Sequence, residues 1–155
     1  MKQLQMKQKA LSIRENYEVF DGSELKYIIK RRKLIAKKPA YDIFTEEGIV
    51  AAAEVTNSAS PLTFKISFRE EDAGEATYAQ IPGVTRIEYP AKGITIDGNS
   101  LLTEFSIKDS AKKIIGTIKK KIVSVGDTYD INFENDADEL LFVMLALITD
   151  ETFHG

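Results

Sequence analysis

Apolar and polar residues alternate in short runs over most of the chain, and the runs are rich in β-branched and aromatic side chains. Alternation of period two predicts strands with one buried face. Thirteen runs fit: 7–13, 17–20, 25–30, 33–36, 41–44, 49–56, 62–68, 75–79, 85–89, 93–97, 101–107, 113–123 and 128–133. Turn chemistry separates several of them, as at Asp21-Gly22, Glu47-Gly48, Gly98-Asn99 and Gly126-Asp127, where one residue tolerates positive φ. Glu70, Glu71 and Asp72 read as a solvated loop.

The pattern changes after the last run. Asn135 or Asp136 is placed to cap a helix, Asp136, Asp138 and Glu139 crowd its first turn, and LLFVMLALI (140–148) follows. An amphipathic helix has an apolar stripe, whereas nine successive apolar residues face every direction and must be buried all round. The run is also too short to span a bilayer, which takes about twenty residues. One encircled helix among about a dozen strands predicts a mainly β fold, a closed antiparallel barrel around a hydrophobic C-terminal helix. Closure removes exposed strand edges.

The 155 residues fit one domain over 1–155, and no low-complexity linker divides them. With no Cys and a single His154, thiol chemistry, zinc sites and a histidine-based triad lack their residues, so catalysis, cofactors and metals are not expected. Residues 1–10 lack the apolar core of a secretory signal, and the expected location is cytoplasmic or peripheral at a membrane surface. The net charge of −3 conceals a division: residues 1–40 hold eleven basic against four acidic residues, and no Lys or Arg follows Lys121. Such a chain is expected to present one basic and one acidic region.

A gapless shift of 88 lays residues 17–44 on 105–132. Asp21, Lys33, Tyr41, Asp42 and Ile43 then fall on Asp109, Lys121, Tyr129, Asp130 and Ile131, and Arg31 and Arg32 on Lys119 and Lys120. This predicts an internal repeat in which two basic strands occupy equivalent places.

The C-terminal stretch resembles the LURP-one-related family, which is grouped with the tubby C-terminal domain and the phospholipid scramblases. Gly116, Ile118 and Lys119, then Gly126, Asp127, Thr128 and Tyr129, carry the likeness, and Asp138, the apolar run, Ile148, Asp150 and His154 continue it. The segment MKQKALSIRENYEVFDGSELKYIIK looks like the family's opening hairpin, while the middle, about 40–92, is less similar. Ile122 and Val123 stand where an aromatic often precedes the Ser-x-Gly-Asp turn. The resemblance implies a twelve-stranded barrel enclosing a C-terminal helix. It also points to phosphoinositide binding through basic residues, as in tubby domains, or calcium-linked lipid movement at membranes, as in scramblases.

The candidate binding residues are Lys30, Arg31, Arg32 and Lys33, with Lys119, Lys120 and Lys121 as their partners in the repeat. In a strand Lys30 and Arg32 share one face and Arg31 and Lys33 the other, so one pair is expected to line a headgroup pocket. Converging cations attract anionic phospholipid or phosphoinositide at about 1 kcal/mol each. The competing reading is a charged strand edge on a structural or protein-interaction domain with no small ligand. Nucleic acid is disfavoured by the pI near 5.3 and the absence of a reader motif. The acids 136–139 admit a calcium reading, but their spacing fits no EF-hand loop and capping accounts for them. Ser124 and His154 do not compose a catalytic arrangement, and His154 reads as a helix C-terminal cation or a frayed end.

Overall fold

The structure is a computed structural model that describes residues 1–9, 17–32, 38–122, 127–135 and 137–154. Among them twelve strands run as an antiparallel meander: β1 (Lys2–Gln8), β2 (Tyr17–Asp21), β3 (Glu24–Arg31), β4 (Ala40–Thr45), β5 (Gly48–Asn57), β6 (Leu62–Phe68), β7 (Glu71–Tyr78), β8 (Arg86–Tyr89), β9 (Ile94–Gly98), β10 (Glu104–Lys108), β11 (Ile114–Ile122) and β12 (Asp127–Phe133). Each pairs with its chain neighbours, and β1 also pairs with β12, Leu4 opposite Ile131, so the sheet closes into a barrel. The one α-helix among the described residues, α1 (Glu139–Phe153), fills the interior, with residues 141–150 buried throughout.

Alternation decides which side chains meet the helix. Leu4, Met6, Val19, Ile29, Ile43, Ile66, Ile96, Ile107, Ile118 and Ile131 point inward and are inaccessible to solvent. Where α1 runs close to the wall the inward positions are small. Ala51 and Ala53 lie on β5, and Gly116 lies under the Phe142 ring, 2.6 Å from where a Cβ would stand. Phe142 in turn stacks on Phe133 at 4.9 Å between centroids. Burial of an all-apolar helix by an all-around sheet is the arrangement the run 140–148 requires.

Several boundaries differ from the sequence reading. The first strand is Lys2–Gln8 rather than 7–13, because Leu4 and Met6 suffice as an inward face in a polar stretch. Residues 10–13, like the expected strand 33–36, lie outside the described residues. Glu71 and Asp72 open β7 instead of forming a loop, since Arg69 and Glu70 make the whole turn, both at positive φ (50° and 69°). Leu101, Leu102 and Thr103 form a turn before β10 rather than its start. The helix cap is Asp138, whose extended backbone lets its carboxylate accept from the Leu141 N–H at 3.4 Å. Asn135 precedes the cap by three residues, Asp136 is outside the described residues, and Glu139 is the one acid in the first turn.

Candidate functional site

A meander in a closed barrel places alternate connections at opposite ends. Tyr17 at the start of β2 and Tyr129 near the start of β12 both donate from their hydroxyls to Asp150, near the end of α1. Lys2 at the start of β1 pairs instead with Glu139, in the first turn of α1, at 2.5 Å. The described residues that follow β1, β3, β5, β7 and β9 therefore cluster at the end where α1 stops. Among the described residues of those segments Lys9, Arg32 and Lys38 are basic and none is acidic. Among the described residues the connections at the other end hold six acids against four basic residues. Topology thus turns the charge division along the chain into a division between barrel ends.

The strand-borne cations are mostly engaged. Arg32 holds Asp42 in a fork, Nε donating to Oδ1 and Oδ2 at 3.0 Å each and Nη2 to Oδ1 at 2.8 Å, while Nη1 reaches Glu54 at 2.8 Å. Hydrogen bonding to Asp42, and then to Glu54, holds its guanidinium above the ordinary range. Lys121 pairs with buried Asp130 at 2.7 Å, and Gln5 donates to the same carboxylate at 3.2 Å. Lys120 points inward, reaching Asp127 at 3.3 Å and His154 Nδ1 at 3.2 Å.

Lys30 is exposed on the outer face with Nζ 5.6 Å from the Phe44 ring centre, and Lys119 is exposed beside Glu104 and Asp130 on the neighbouring strands. Arg31 turns inward at the mouth, where it lines a cavity of about 170 Å³ with Tyr41, Val55, Leu62, Phe64 and Glu151. Lys33 lies outside the described residues. The face assignment for Lys30, Arg32 and Arg31 follows the strand alternation, but the two basic strands are not neighbours: β2, β1 and β12 separate β3 from β11.

The pairing registers show how the two strand triplets correspond. Tyr17 and Ile43 flank Ile29, and Phe105 and Ile131 flank Ile118. The outer strands thus keep an offset of 88, but the middle strand is displaced by 89. Arg31 corresponds to Lys120, both inward, and Arg32–Asp42 to Lys121–Asp130, both outward ion pairs, rather than the matches read from the gapless shift.

Sequence reasoning missed the network around the last turn of α1. Asp150 is fully buried. Burial pushes its carboxyl above the usual aspartate value, against the pull of the Tyr129 and Tyr17 hydroxyls. Burial and the Asp150 charge push the Tyr129 hydroxyl up in turn. His154 is not a frayed end, since both ring nitrogens have partners. Lys120 has only donors, so His154 Nδ1 accepts, and Nε2–H donates to the Leu102 carbonyl at 2.7 Å.

Among the described residues no group of three or more His, Asp or Glu is placed to hold a metal ion. Asp138 is occupied in capping and Glu139 with Lys2 and Tyr27, the latter at 2.6 Å. Among the described residues no helix is long and apolar enough to cross a membrane. The model of the LURP-one-related family matches residues 2–150. No curated protein and no solved structure matches the chain.

Proposed function

Since the chain belongs to the LURP-one-related family, we propose that it is a non-catalytic, tubby-like binding module that docks at a membrane surface by its basic end, with anionic phospholipid or phosphoinositide headgroups as ligand. The split of charge between the two ends of the barrel carries this reading: a molecule so polarised turns one end toward a negative surface. Lys9, Lys30 and Lys38 are exposed at or beside that end, and they grip the headgroups. Arg32 and Lys121 neutralise Asp42 and Asp130 and keep the rim ordered, so they support the surface rather than bind through it.

Vesicle flotation tests the reading with neutral phosphatidylcholine, phosphatidylserine-containing and phosphoinositide-containing membranes. Anionic vesicles are expected to carry the protein and neutral ones to leave it behind. Lys9→Gln and Lys38→Gln, which break no buried pair, are each expected to weaken binding about fivefold, from roughly 1 kcal/mol per surface cation. Arg32→Glu is the wrong variant, because it would put a third carboxylate beside Asp42 and Glu54. Equal flotation with all three membranes, or with none, overturns the proposal.

A further inference from the structure

The same end of the barrel also bears apolar side chains that the fold holds out into solvent. Leu101 is 76% exposed at the tip of the β9–β10 connection, and Ile81 is 55% exposed in the β7–β8 connection, followed by Val84 at 37%. These two connections, 79–85 and 99–103, contain no charged residue and are neighbours around the rim. Exposed apolar side chains scattered singly are ordinary; what sets these apart is that they stand on adjacent uncharged loops at the end where the described connections carry basic residues and no acid.

Both loops are built to present those side chains. Asn99 Oδ1 accepts from the N–H groups of Thr103 and Glu104 at 2.8 and 3.1 Å, and the Asn99 N–H donates to the Glu104 carbonyl at 2.9 Å. The Lys120 N–H donates to the Thr103 carbonyl at 2.7 Å, and His154 fastens Leu102. In the other loop, Ile81-Pro82-Gly83-Val84 closes as a tight turn. Val84 N–H donates to the Ile81 carbonyl at 3.0 Å, and Gly83 takes the positive φ of 81° that its position requires. Tyr78 holds the Val84 carbonyl at 3.1 Å. Little ordering entropy remains to be lost on contact.

Resting on the headgroup reading above, we infer that Leu101 and Ile81 are membrane anchors: the barrel docks end-on against an anionic bilayer, with both side chains inserted at the level of the headgroup–acyl boundary while the cations around the rim hold the lipid phosphates. Charge selects the end. The other exposed large apolar side chains among the described residues, Met1, Leu25, Ile49 and Ile114, sit toward the opposite end, where acids outnumber basic residues in the connections and an anionic surface would be repelled. Cation and apolar tip are joined through the His154 bridge, since Lys120 contacts the ring that holds Leu102.

The chain contains no Trp, so Leu101→Trp supplies a single fluorescent probe. Vesicles containing phosphatidylserine are expected to shift its emission to the blue, and brominated acyl chains to quench it, with neither change for pure phosphatidylcholine. In flotation, Leu101→Ser and Ile81→Ser are each expected to cost about tenfold in partitioning, from loss of a partly inserted aliphatic side chain, at an unchanged melting temperature. If the wild type floats on anionic vesicles while the indole emission of the Leu101→Trp variant stays as in water, the insertion alone is overturned and headgroup docking stands. Absence of wild-type flotation overturns both.

Discussion

Asp150 is the residue whose chemistry the fold constrains most. It sits in the last turns of a buried helix, accepts two tyrosine hydroxyls, and has its carboxyl raised by burial. A carboxyl with a higher value folded than unfolded keeps its proton longer in the native state. Native stability therefore declines as pH rises from about 4 through the folded value. Glu139 acts in the opposite sense: burial raises it, but Lys2 and Tyr27 outweigh that and hold it below the usual range, so its contribution is present above about 4.5 and is lost on acidification. Asp150→Asn removes the first effect and leaves the second. Urea midpoints of variant and wild type are expected to diverge in favour of the variant between pH 4 and 7.5, whereas a constant difference would show that Asp150 does not titrate differently on folding. Tyr129 and Asp150 stood among the residues that carry the family likeness, but their contact was not legible in the sequence, because Tyr17, Tyr129 and Asp150 are separated by more than twenty residues and meet only when the barrel closes. The Asp138 cap was missed for a smaller reason: several acids precede the apolar run, and only backbone geometry chooses among them.

At the scale of elements, the helix and the strand-rich wall were legible, since nine apolar residues in a row and period-two alternation have few other solutions. What failed were turns without turn residues. Arg69 and Glu70 make a tight hairpin at positive φ with no glycine to announce it, so β7 starts four residues earlier than read. The offset of 88 misassigned the basic strands for a related reason: the middle strand is displaced by one residue while its neighbours are not, and alternation turns one residue into a change of face. Arg31, read as the counterpart of outward Lys119, corresponds to inward Lys120. Close approach of wall and helix gives a test at this scale. Gly116 lies between the Phe142 ring and the Asn132 carbonyl, and an added methyl would stand 2.6 and 2.9 Å from them. Gly116→Ala is expected to lower stability by about 1–3 kcal/mol, the usual cost of overpacking a filled core. A denaturation midpoint equal to wild type would mean that the helix shifts without cost.

For the whole molecule, the proposed docking requires a chain of net charge −3 to approach a negative surface. The meander answers it by sorting alternate connections to opposite ends, so the basic segments around Lys9 and Lys38 share a rim with Leu101 and Ile81 while acidic connections gather at the far end. Two terms then act on docking, and they respond differently to salt. Attraction between exposed charges is screened as the Debye length falls from about 10 Å at 0.1 M towards 3 Å at 1 M, while insertion of aliphatic side chains is not weakened by salt. Wild-type partitioning onto phosphatidylserine vesicles is expected to drop steeply between about 0.05 and 0.3 M salt, as the Debye length shortens. The factor lost through Leu101→Ser is expected to be the same at both concentrations, since well-separated contributions add. Lys38→Gln should behave in the contrary way, losing its effect as salt rises. A Leu101→Ser factor that shrinks with salt as the Lys38→Gln factor does would mean that the loop reports on electrostatic attraction alone, and that the apolar tips stay outside the bilayer.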